Sequence, residues 1–173
     1  MERHPQRCAI AEVIVMFHEY LRRPSRRVLI GTICAGLTGL TRPAEAAPEI
    51  HTGLLSSTAA GGYDVVAYFT EARPVVGSAS FQHAWKGANW RFASSAARDA
   101  FAADPERYAP AYGGHCAWAA SQGYRASGSP HAWRIVEGRL FFNYDARVHR
   151  LWEGNIAGFV ESADRNWPGI VRQ

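Results

Sequence analysis

Phe81-Gln82-His83-Ala84-Trp85-Lys86-Gly87-Ala88-Asn89-Trp90-Arg91-Phe92 is the stretch whose pattern decides the fold. Phe81, His83 and Trp85 alternate with Gln82 and Ala84, so successive side chains fall on opposite faces of an extended chain. Lys86-Gly87-Ala88-Asn89 supplies a turn, and Trp90-Arg91-Phe92 resumes the alternation. The pattern predicts a β-hairpin with an aromatic face. Ser94 or Ser95 then caps a helix through Asp104, with Ala97, Ala100 and Phe101 at helical spacing before Pro105.

Moving towards the C-terminus, Glu106 to Tyr112 reads as a short helical turn leading into Gly113-Gly114. Cys116 to Gln122 is rich in helix formers and stops at Gly123. Trp133-Arg134-Ile135-Val136, the turn Glu137-Gly138 and Arg139-Leu140-Phe141-Phe142 predict a second hairpin. The pattern turns helical from Asp145, and a final amphipathic helix is expected from about Ile156 to Asn166. Towards the N-terminus, Tyr63 to Phe69 is apolar and β-rich and reads as a strand or an extended core segment. The expected class is α+β: a single small domain of two antiparallel β-hairpins interleaved with helices. The domain is placed at 63–168, after a flexible lead-in over 47–62 and before a tail over 169–173. No internal repeat is read beyond the two hairpins.

Residues 1–46 read as a leader. Arg22, Arg23, Arg26 and Arg27 precede an uncharged, largely apolar run from Val28 to Leu40, followed by Ala44-Glu45-Ala46. That run is too short for a bilayer-spanning helix, which needs about 20 residues, so no permanent membrane span is expected after leader removal. Ser25-Arg26-Arg27-Val28-Leu29 fits a twin-arginine signal cleaved near Ala46 or Ala47, placing the product in the periplasm or otherwise outside the cytoplasm. The leader would be complete from Met16, which is read as the true start. It carries 7 Lys+Arg against 4 Asp+Glu, and the remainder 12 against 11. The positive charge therefore belongs to the leader, and the near-neutral remainder argues against a nucleic-acid partner.

With Cys8 and Cys34 removed with the leader, Cys116 is the one remaining thiol, which excludes an internal disulfide. It follows His115 in Tyr112-Gly113-Gly114-His115-Cys116-Ala117-Trp118. In the first turn of a helix the dipole would lower its pKa and favour the thiolate. Thiolate and imidazole suit copper or zinc, so Cys116 and His115 are candidate metal ligands, with His83, His131 and His149 as further donors that sequence does not place.

An ordered set of motifs resembles exported YHS-domain proteins: Gly62-Tyr63-Asp64-Val65-Val66-Ala67-Tyr68-Phe69, Trp90-Arg91-Phe92-Ala93-Ser94, Pro105-Glu106-Arg107-Tyr108, Tyr112-Gly113-Gly114-His115-Cys116-Ala117 and Trp133-Arg134-Ile135-Val136 with Gly138-Arg139-Leu140. The resemblance spans almost the whole chain after the leader. Shorter YHS and TRASH-like modules bind copper and similar soft metals through cysteines, which implies a metal role here. Where those modules carry cysteines this chain has Ala67, Ala93 and Ala97, which cannot ligate.

Three functional readings remain open. The first is an exported domain binding a copper- or zinc-class ion, or a small ligand, near Cys116. The second is a non-metal binding or interaction module in which Cys116 is structural. The third is a single-thiol redox protein needing a partner for its resolving cysteine. A hydrolase is disfavoured, because His115 beside Cys116 in sequence would point away from it. No catalytic residue is assigned, and no protein partner is specified.

Overall fold

The computed structural model describes residues 48–53 and 55–173; the leader, its paired arginines, Met16, Cys8 and Cys34 lie outside them. Among the described residues, six helices alternate with two two-stranded antiparallel sheets. In chain order these are α1 (Ala67–Thr70), β1 (Ser78–Trp85), β2 (Ala88–Phe92), α2 (Ser95–Ala103), α3 (Pro105–Tyr108), α4 (Ala117–Ser121), β3 (Ser129–Val136), β4 (Arg139–Asn143), α5 (Ala146–Glu153) and α6 (Ile156–Ile170). No helix among them is long and apolar enough to cross a membrane.

The hairpins form where the alternation predicts them. Lys86 and Gly87 both take positive φ (47° and 74°), as do Glu137 and Gly138 (50° and 76°), the backbone a tight two-residue hairpin turn requires. The helix starts are equally local in origin. Ser94 Oγ accepts from the Ala97 N–H at 3.1 Å to begin α2, and Asp145 Oδ1 accepts from the Val148 N–H at 2.7 Å to begin α5.

β4 lies between two cores because its side chains alternate. Leu140 and Phe142 join Trp90, Phe92, Phe101 and Tyr68 on one side, while Phe141 joins Tyr112, Trp152, Ala163 and Ile170 on the other. Each large apolar side chain so buried contributes about 1.5–3 kcal/mol. This strand ties the two hairpin-and-helix halves together.

Three boundaries differ from expectation. Tyr63 to Phe69 is a turn followed by α1, not a strand, because Asp64 Oδ1 accepts the Val66 N–H (2.9 Å) and the Ala67 N–H (3.4 Å) and starts a helical turn. The lead-in is part of the fold: Ile50 is buried in the first core, Thr52 bridges to Ala59, and the His51 N–H donates to the Gly113 carbonyl at 2.8 Å. α6 runs past Asn166 to a buried Ile170, so the supposed tail belongs to the domain.

The two halves also repeat the same backbone course beyond their hairpins. Ala60-Gly61-Gly62 (φ 50°, 61°, 84°) matches Tyr112-Gly113-Gly114 (57°, 60°, 83°). The following residues, Tyr63 and His115, form antiparallel bridges to Val76 and Ser127. Both hairpins are irregular at corresponding places, between Ser78 and Gln82 and between Ser129 and Trp133. In this repeat Asp64 corresponds to Cys116. Beyond the shared glycine pairs the matching residues differ chemically, as Tyr63-Asp64 and His115-Cys116 do, so the likeness escapes a sequence reading.

Candidate functional site

The second double-glycine turn is shaped by the lead-in that crosses it. A Cβ at Gly113 would lie 1.9 Å from the Glu49 carbonyl oxygen, so only glycine admits this crossing. Tyr112 holds a left-handed conformation without being glycine. Its hydroxyl donates to Asp164 Oδ1 at 2.8 Å, and Arg139 clamps the same carboxylate through two bonds of 2.8 and 2.9 Å. Arg139, foremost by these hydrogen bonds, holds the Asp164 carboxyl below its usual pKa.

His51 is brought by the lead-in against His115, with ring centroids 5.0 Å apart and planes tilted by 54°. Trp167 of α6 closes another side, 5.5 Å from the His115 ring. His115 is only 8% exposed, and neither Nδ1 nor Nε2 has a hydrogen-bond partner. The Ala126 carbonyl accepts from the Cys116 N–H at 2.9 Å and lies close enough to the His115 ring to act on it, without meeting either ring nitrogen in full hydrogen-bond geometry. Burial above all, then the neighbouring His51, pushes the His115 pKa down to about 4; the Ala126 carbonyl pulls it up, and Arg125 adds a weaker downward push. Burial also lowers that of His51. Both imidazoles are therefore neutral at pH 7, each with a nitrogen lone pair available. Trp152 Nε1 and Arg91 Nε are likewise buried without partners, but indole and guanidinium only donate.

Cys116 faces elsewhere. It is the N-cap of α4 and 1% exposed, with Sγ accepting from the Ala119 N–H at 3.5 Å and donating to Asn143 Oδ1 at 3.8 Å. Burial raises its pKa, outweighing the backbone N–H groups of Ala119, Tyr144 and Trp118 that pull it down. The thiolate expected from the helix start is thus disfavoured, because desolvation exceeds the field of a five-residue helix. Asn143, wholly buried, continues from the sulfur to His149, its Nδ2 lying 3.2 Å from His149 Nδ1. His149 Nε2 in turn lies 3.4 Å from Glu153. The amide stands between thiol and imidazole, so His149 does not reach the sulfur as a base.

No protein-family model, curated protein or solved structure matches this chain.

Of the residues singled out from sequence, His115 and Cys116 are adjacent in the chain but contact different surroundings. His83 sits on the first hairpin beside Phe101, at 6.0 Å, and joins neither. His131 Nε2 lies 3.0 Å from the Tyr63 hydroxyl. Among the described residues no group of three or more His, Cys, Asp or Glu is arranged to hold a metal ion. Sequence reasoning misses His51 and Asn143. A histidine in a polar lead-in and an asparagine closing an apolar strand carry no local signal of their partners.

Proposed function

We propose that this chain is an exported, YHS-like domain that binds a soft or borderline metal ion of the copper or zinc class at its second double-glycine turn. His115 is the donor. One observation carries the reading: a neutral imidazole, more than nine-tenths buried, with both ring nitrogens unpartnered. Leaving a buried polar atom without a partner costs about 1–3 kcal/mol, which an ion would recover. Cys116 is assigned a structural role on this reading, since its sulfur already serves the start of α4 and Asn143. The same contacts speak against redox or nucleophilic use of the thiol, and the domain acts as a binding module rather than an enzyme.

A second reading has its own support. A cleft of about 490 Å³ flanks the same turn, lined among others by Tyr112, Gly113, Arg139, Asp164, Lys86 and Glu106. A small polar ligand there would meet both charge signs. Elemental analysis of the full chain loaded with copper or zinc separates the readings. Bound metal that persists in Cys116→Ser and disappears in His115→Gln supports the metal site. Absence of metal from the unaltered chain removes it and leaves the cleft.

A further inference from the structure

Away from His115, the first double-glycine turn flanks a second unsatisfied group. Arg91 on β2 is half-buried, and its Nε is closed off from water with no hydrogen-bond partner. Among the described residues no other arginine has a nitrogen so placed. Arg73, Arg98, Arg134, Arg139 and Arg165 each pair with a carboxylate, whereas among the described residues no carboxylate pairs with Arg91. A guanidinium only donates, so one that is partly buried without an acceptor favours an anion beside it.

The repeated backbone course shows that the fold itself does not need a charge here. A Cβ at Gly62 would lie 4.0 Å from Arg91 Cδ and 3.7 Å from Thr58 Cγ2, and one at Gly114 would lie 3.9 Å from Phe142 Cδ2 and 3.4 Å from Pro110 Cγ. The two hairpins agree in register, Arg91 pairing with Gln82 as Phe142 pairs with Trp133. One half thus fills this place with an apolar pair, and the other fills it with a cation and a threonine.

Arg91 lines a pocket of about 290 Å³ with Gly53, Ser56, Thr58, Gly61 and Gly62, none of them acidic. Sites for drug-sized ligands run to roughly 300–1,000 Å³, so this one suits a small ion or a single ionic group. We propose that it binds a phosphate-class oxyanion, held by the Arg91 guanidinium with the Ser56 and Thr58 hydroxyls as further donors. Ser56 Oγ accepts the Thr58 N–H at 3.0 Å, which leaves its own O–H to donate. A guanidinium fork matches two oxygens of such an anion, and a tetrahedral one has further oxygens for the hydroxyls. The phosphate could be free or part of a lipid headgroup. Leu55, next to Ser56 and 99% exposed, would enter a lipid surface in the second case.

The test titrates the full chain with inorganic phosphate by calorimetry, and in parallel sediments it with phosphatidylcholine vesicles containing phosphatidylglycerol. Arg91→Met keeps the aliphatic stem against Gly62 and removes the charge, and Thr58→Val keeps the methyl group and removes the hydroxyl. We expect phosphate to bind and to raise the melting temperature of the unaltered chain. Arg91→Met should lose at least about 10-fold in affinity and show no such rise, and Thr58→Val should lose less. Without phosphate, Arg91→Met should melt no lower than the unaltered chain. The vesicle arm compares chains with the same leader, so a difference reports the pocket. Vesicle binding that falls in both Arg91→Met and Leu55→Ser assigns the phosphate to a headgroup, and an Arg91-dependent effect in the calorimetry alone assigns it to the free ion. The proposal is overturned if neither probe shows binding that depends on Arg91, if chloride competes as well as phosphate, or if Arg91→Met melts lower in phosphate-free buffer.

Discussion

Asp64 and Cys116 occupy the same place in the two halves of the fold. Asp64 accepts the backbone N–H groups of Val66 (2.9 Å), Ala67 (3.4 Å) and Ala93 (2.9 Å). Around Cys116 the Ala119 N–H donates to Sγ at 3.5 Å, while the Trp118 N–H donates to the neighbouring Asn143 Oδ1 at 3.2 Å. Each side chain helps start a short helix; Asp64 ties it to the residue after the first hairpin with its carboxylate, and Cys116 ties it to Asn143 at the end of the second with its thiol. The cysteine that invites a chemical reading from sequence thus has a structural counterpart that does the same work with different atoms.

The two caps should differ in strength. Asp64→Ala strands two buried donors, Val66 and Ala67, and frees a part-buried third at Ala93; at about 1–3 kcal/mol for each buried donor it is expected to lose at least about 2 kcal/mol. Cys116→Ala removes a weaker acceptor and should lose about 1–2 kcal/mol. Urea denaturation of both variants gives the comparison, and a larger loss at Cys116 would contradict the assignment.

The thiol should be inert in the folded protein. Buried and with a raised pKa, Cys116 is expected to resist a charged disulfide reagent at pH 7 and to react fully once the chain is unfolded in urea. Fast labelling of the native Cys8→Ser, Cys34→Ser protein would restore the redox reading.

Gly113 and Gly87 separate steric from conformational cost. Both have positive φ, but a Cβ at Gly87 meets nothing within 4 Å, whereas one at Gly113 collides with the Glu49 carbonyl. Gly87→Ala should cost about 1–2 kcal/mol for its backbone alone. Gly113→Ala should cost clearly more, because the lead-in must detach, and should weaken metal binding as well. Thermal melts and copper titration of the two variants check this, and equal losses would show that the crossing is not held as described.

Stability should fall in acid through His115. Its folded pKa of about 4 lies below the ordinary 6.5, so the unfolded chain binds the proton more readily. The contribution is fully present above pH 6.5 and is lost as pH falls towards 4, a change on the order of 3 kcal/mol in the metal-free protein. His115→Gln should flatten that part of the profile. Melting temperatures of the two proteins between pH 4 and 7 measure it, and parallel profiles would count against a neutral buried ring.

Much of this fold is legible in short stretches of sequence. Lys86-Gly87 and Glu137-Gly138 mark their turns, and Ser94 and Asp145 mark their helix starts, because these signals act within a few residues. Asp64 misleads, since an apolar run that looks extended becomes a helical turn once its carboxylate takes the Val66 and Ala67 N–H groups. The thiol pKa goes the other way from expectation because helix position is read locally and burial is not. The candidate site is the least legible part. His51 meets His115 only because the lead-in crosses Gly113, a contact between segments far apart in the chain.

The central claim is that His115 donates to a metal ion, and the most direct measurement is heteronuclear NMR of the ring nitrogens in histidine-labelled full chain carrying Cys8→Ser and Cys34→Ser. On adding one equivalent of copper(I), a His115 ring nitrogen should shift strongly while those of His83, His131 and His149 stay near their free positions. An unmoved His115, with the shift falling on the other histidines or on none, would contradict the account.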